Sequence, residues 1–151
     1  LDNEKAYNYY QEIELVNPVS PISVYLSSDG TLVTLDNWHN MGYGNVVVIY
    51  RPNGEVLKKY KLDELYSNSE KLDKITMTVS SIWWRCNDIT PVVDREEFIV
   101  FDSFGNFFDF NLRDGSFEYQ ESERECKNNH TSSKTNAHDM RWDAAQTRRP
   151  F

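Results

Sequence analysis

The sequence predicts an all-β fold of two antiparallel four-stranded units, with one short helix and a polar C-terminal extension. Three observations carry this. Short apolar runs alternate with turns marked by Asp29-Gly30, Asn53-Gly54, Gly105-Asn106 and Asp114-Gly115, the pattern of hairpins rather than of helices. The second half loosely repeats the first: apolar strand, turn with Gly, strand, turn with Gly, strand. Aromatic residues reach 14% while the apolar fraction is only 39%, so the chain has rings enough to build a core.

Taken in order, Ile13 and Leu15 alternate with Glu12 and Glu14, as in an edge strand with one wet face. Pro18 and Pro21 end it. Ile22 to Leu26, the Asp29-Gly30 turn and Thr31 to Leu35 form a hairpin. The loop Asp36 to Asn45 leads to Val46-Val47-Val48-Ile49-Tyr50, an uninterrupted apolar run expected to be covered on both faces. After Pro52-Asn53-Gly54, Val56 to Leu62 completes a first unit over about residues 22–62, the size of a propeller blade. The only helical spacing lies between Leu62 and Ile75, and Ser67-Asn68-Ser69 limits it to one or two short turns. A second unit covers about residues 76–120: Thr76 to Arg85, Phe98 to Phe101, Phe107 to Leu112 and Ser116 to Tyr119. This defines a β-rich domain over 1–121 and an extension over 122–151, in which 137–146 has the composition of a short helix.

Charge separates the same two regions. Residues 1–121 hold 20 acidic and 10 basic side chains, a balance of −10; residues 122–151 hold 4 and 6, a balance of +2. With a total of −8 and a pI near 4.8, nucleic acid and anionic membranes are poor partners. No apolar run is long enough for a membrane span. A basic tail on an acidic body can fold back on it or clasp a neighbouring copy, making a homo-oligomer through residues 122–151. Cys86 and Cys126 are either two separate thiols or one disulfide. The disulfide is favoured, because Cys126 sits in a charged segment where a free thiol is a liability; it would close a loop worth roughly 4 kcal/mol. That pairing and the start at Leu1 rather than Met point to a secreted or periplasmic location, while the sequon Asn129-His130-Thr131 would be glycosylated only in a eukaryotic secretory pathway and by itself is a weak signal.

Two constellations are candidates for chemistry. Asp36-Asn37-Trp38-His39, with Tyr43 between two loop glycines, places a His three residues from an Asp. That is the spacing for a general base and its orienter or for half a metal site, but a Trp plugging the core edge beside a structural His is the favoured reading. In Trp83-Trp84-Arg85, strand alternation sends the two indoles to opposite faces. One is then free to anchor a partner with Arg85, or each packs into a sheet interface. Asp102 and Asp109 flank a turn and are a possible carboxylate pair for hydrolysis. His130 and His138 have no Cys or His at metal-ligand spacing, and no phosphate loop, nucleophile elbow or HExxH motif is present.

Val19-Ser20-Pro21, Ser28-Asp29-Gly30, Thr34-Leu35-Asp36-Asn37-Trp38-His39, Gly42-Tyr43-Gly44, Val47-Val48-Ile49-Tyr50 and Ser80-Ser81-Ile82-Trp83-Trp84-Arg85 resemble a family of small uncharacterised bacterial secreted proteins with WD40- or NHL-like β-propeller character. The likeness covers about residues 15–120 and implies export and blade-like repeats. Two units are too few to close a propeller. The expected function is an extracytoplasmic, non-enzymatic binding module for a protein or glycan, with Trp38, His39, Tyr43, Trp83, Trp84 and Arg85 as binding residues. A periplasmic immunity protein directed at a basic enzyme is one case. The alternatives are a hydrolase using His39 with Asp36 or the Asp102/Asp109 pair, and an assembly subunit clasped by its tail.

Overall fold

The computed structural model describes residues 10–127. It is mostly β: two four-stranded antiparallel sheets, each wound in sequence order. The first contains β1 (Ser23–Leu26), β2 (Leu32–Leu35), β3 (Asn45–Tyr50) and β4 (Val56–Lys61). Two short helices follow, α1 (Leu62–Leu65) and α2 (Ser69–Asp73), where one was expected. Asn68 separates them: its side chain accepts from the Glu70 amide and starts α2 as a fresh N-terminus. The second sheet contains β5 (Val92–Val93), β6 (Glu97–Phe101), β7 (Phe107–Asn111) and β8 (Phe117–Gln120). The described residues form no closed sheet. The expected tail helix at 137–146, the sequon and most of the clasping tail lie outside them.

Four hairpin corners are built the same way. An Asp or Asn at the turn accepts an amide two residues on: Asp29 from Thr31, Asn53 from Glu55, Asp94 from Glu96 and Asp114 from Ser116. Such side-chain turns fix the registers that follow. Period-two alternation then sorts each strand. Tyr25, Val33 and Ile49 lie in one row across the first sheet, and Leu35, Val47 and Tyr60 in the next. In the second sheet the rows are Phe98–Phe110–Phe117 and Val100–Phe108–Tyr119. These faces meet in one hydrophobic core. Tyr25 packs on Phe98 at 5.2 Å between ring centroids, and Tyr60 on Phe117 edge-to-face at 5.1 Å. The Tyr60 hydroxyl donates to the Gly115 carbonyl, tying the β4 edge to the β7–β8 turn.

The expected strand at 12–15 is not one, although its alternation is real: Ile13 and Leu15 are half-buried and both glutamates exposed. The segment instead lies across the back of the first sheet. The Val16 amide donates to the Tyr50 hydroxyl at 3.0 Å, and Asn17 exchanges bonds with Asn45. This is how β3 comes to be covered on both faces, as its composition demands. The expected strand from Thr76 to Arg85 is also replaced. Its amides go to unrelated acceptors: Ile82 to the Met41 carbonyl, Trp83 to Thr76, Cys86 to Phe101. Only the bridges Met77–Ile82 and Arg85–Asp102 have sheet geometry, and the short β5 after Pro91 takes the edge position instead.

Cys86 and Cys126 are joined by a disulfide, with Cα atoms 5.7 Å apart. It pins residues 122–127 against the far face of the second sheet, where the Arg124 guanidinium lies over Phe101 at 5.0 Å. Gly105 permits this approach, since a Cβ there would stand 1.7 Å from the Arg124 carbonyl oxygen. Among the described residues no helix is long and apolar enough to cross a membrane.

Candidate functional site

The loop from Asp36 to Gly44 leaves β2 through a left-handed residue, Asp36 at φ 58°, and holds a second at His39, φ 68°. Side chains other than glycine rarely adopt this region, and they do so where surrounding contacts over-determine the backbone. Those contacts are present. The Asp36 carboxylate accepts from the Gly42 amide at 3.0 Å, the Trp84 indole at 2.7 Å and the Arg85 Nε at 2.7 Å. The Asn37 amide nitrogen donates to the Tyr43 carbonyl, and the Trp38 amide to the Ser20 carbonyl. Asp36, Asn37, Met41 and Gly42 are thereby turned inward, and Trp38, His39, Asn40 and Tyr43 outward.

The loop consequently separates residues that are neighbours in sequence. Trp38 is 55% exposed and meets the His39 ring edge-on at 5.5 Å. Together with Pro18, Val19, Ser20 and Pro21 they line a groove of about 660 Å³. Tyr43 faces a different recess on the other side of the loop. Trp84 is fully buried and Trp83 packs, half-buried, against the core, so of the two alternatives left open the packed one is found, not display. Arg85 is buried as well, its guanidinium held by Asp36. The physical reason is the Asp36 carboxylate: once enclosed, it needs donors and a cation, and Trp84 and Arg85 supply them.

The hydrolase geometry does not assemble. His39 points to solvent while Asp36 points inward to other partners. Asp102 is fully buried, accepting from the amides of Phe104 and Asn106 and from the hydroxyls of Tyr66 and Tyr119. Asp109, paired with Ile99 and Glu118, alternates to the opposite face of the sheet. Asp102 is the residue whose importance the sequence conceals. It follows β6 as Asp36 follows β2, and each carboxylate accepts backbone amides of the loop that leads to the next strand. The segment Trp84-Arg85-Cys86 joins the two corners: its side chains reach Asp36, its backbone pairs alongside Phe101 to Ser103, and its cysteine holds residues 122–127. The one trace in the sequence is the repeated position of the two aspartates. As to metals, the sulfurs of Cys86 and Cys126 lie with an Asp88 oxygen within 4.8 Å of one another, but the disulfide leaves no thiolate to ligate.

Burial pushes the Asp36 carboxyl up, opposed by the Arg85 charge and its hydrogen-bond donors. Burial also raises Asp102, which has four donors but forms no ion pair among the described residues, and it drives the Tyr66 hydroxyl well above its ordinary range. The turn carboxylates Asp29, Asp94 and Asp114 are held below 3.8 by the hydrogen bonds they accept, Ser27 first for Asp29 and Ser116 for Asp114. The two groups act oppositely on stability. Asp102 binds its proton more tightly folded than unfolded, so its contribution grows as pH falls through its raised value toward 3.8. The turn carboxylates stabilise the fold above 3.8 and cease to do so as pH falls through their lowered values. Carbon-13 carboxyl titration by NMR is expected to place Asp102 above 3.8 and the three turn groups below it; a single common value would contradict these environments.

Compared with protein-family models, curated proteins and solved structures, the chain matches none. The fold and site define it as a two-sheet, disulfide-linked β protein with an aromatic groove at one loop.

Proposed function

We propose that the protein is an extracytoplasmic, non-enzymatic binding module that recognises a protein or glycan through the Trp38 groove. The observation that carries this reading is the exposed Trp38 indole, held beside a proline-bounded wall by a loop with two left-handed residues. The core gains little from an indole left more than half in water, whereas partner surfaces are anchored by such rings. A flat indole suits the C–H face of a sugar or an extended peptide laid along Pro18 to Pro21. The −10 balance over residues 1–121 favours a basic protein, as for an immunity protein opposing a basic enzyme. The disulfide and the resemblance to exported proteins support the location. In the same reading each sheet is a blade-like unit, and two of them stack.

Low-salt pull-down and glycan-array binding of the wild type and Trp38→Ala test it. The wild type is expected to capture a partner or sugar, and the variant to lose about thirtyfold in affinity with an unchanged fold. Absence of any wild-type signal, or equal binding by the variant, overturns the reading.

A further inference from the structure

On the other side of the same loop, we propose a second site, for a small organic cation with an apolar body. The recess holds about 410 Å³, within the range of small-ligand pockets, and shares no lining residue with the Trp38 groove. Its walls come from three separate elements. Leu62 opens α1, Leu72 lies on α2, and Met77 and Ile82 belong to the bridged turn that follows. These side chains can take an apolar body out of water. Met77 is 59% exposed, so its unbranched thioether is free to settle on whatever enters.

The shape depends on glycine. Gly42 has φ 81°, and a Cβ there would meet the Ile82 Cβ at 2.5 Å and its carbonyl oxygen at 2.8 Å. Only a residue without a side chain lets the loop approach the turn closely enough to form the floor. The polar rim carries the sign of the ligand. Asp63 and Asp73 stand at the mouth, both exposed, and neither makes an ion pair among the described residues. Lys61 is the third charge, which leaves the rim net negative. An ammonium group at this rim is drawn to the carboxylates while its hydrocarbon fills the recess. A neutral ligand gains only the second of these, and a carboxylate meets repulsion at the rim.

The test titrates the full chain with 2-phenylethylammonium, 2-phenylethanol and 3-phenylpropanoate, following the methyl NMR signals of Leu62, Leu72, Met77 and Ile82. The ammonium is expected to give saturable shifts, with the alcohol about threefold weaker and the carboxylate weaker still, since each exposed charge contact is worth only tenths of a kcal/mol to about 1. The Asp63→Asn/Asp73→Asn double variant should bind the ammonium and the alcohol alike. Met77→Trp, at an exposed position, should block the mouth and abolish the shifts. No saturable shift at about 20 mM, where even millimolar binding saturates, refutes the site. So does equal affinity for the three probes, or undiminished binding by Met77→Trp. The readout is separate from the Trp38 signal, so failure here leaves the groove reading untouched, and the converse holds.

Discussion

Replacing Asp36 with Ala is expected to destabilise the protein by about 3–5 kcal/mol, because it removes the anionic partner of a buried guanidinium. Arg85 Nε lies 2.7 Å from the Asp36 carboxylate, with the arginine side chain 8% exposed and the aspartate fully enclosed. The same substitution removes the acceptor of the Trp84 indole and the Gly42 amide, so three donors lose their partner together. It also places an alanine at φ 58°, a conformation Asp tolerates better. Urea denaturation at pH 7 measures the loss. The effect should be strongly non-additive with Arg85→Met, since the methionine removes the buried charge that has lost its carboxylate: the double variant should be more stable than Asp36→Ala alone. A cost below about 1 kcal/mol would show that Asp36 is not the structural centre of this corner.

The two tryptophans of the candidate patches should then part company. Trp84→Ala is expected to cost about 3–5 kcal/mol, from lost burial and the cavity left among Phe108 and its neighbours. Trp38→Ala should stay within about 0.5 kcal/mol, as a surface change away from caps and networks. Thermal unfolding of the two variants side by side checks this. A large loss at Trp38 would mean that its ring is a structural plug, and the binding module would lose its anchor.

These contrasts mark how far the sequence could be read. Strand alternation, the Asp-Gly and Asn-Gly turns and the run Val46 to Tyr50 are local signals, and seven of the eight strands, all but β5, fall where such signals put them. They work because a hairpin is decided within a few residues by turn chemistry and side-chain period. The strand expected at Thr76 to Arg85 failed for a non-local reason: its Ile82 amide is claimed by the Met41 carbonyl, its Arg85 bridges Asp102, and the Trp84 and Arg85 side chains are claimed by Asp36. The helix from Leu62 split because a single Asn side chain capped the second half. Of the candidate residues, Trp38, His39 and Tyr43 do face solvent, while Trp84 and Arg85 do not. No periodicity distinguishes these cases.

The sequence by itself determined the class: antiparallel β, with corners set by Asp, Asn and Gly, an acidic body, and two cysteines able to pair. Only the tertiary structure decided the meaning of Asp36-Asn37-Trp38-His39. Four consecutive residues are divided there by a left-handed turn, the first two drawn inward and the last two turned to water. The physical reason is that a buried carboxylate must find its donors, and those donors lie 48 and 49 residues away.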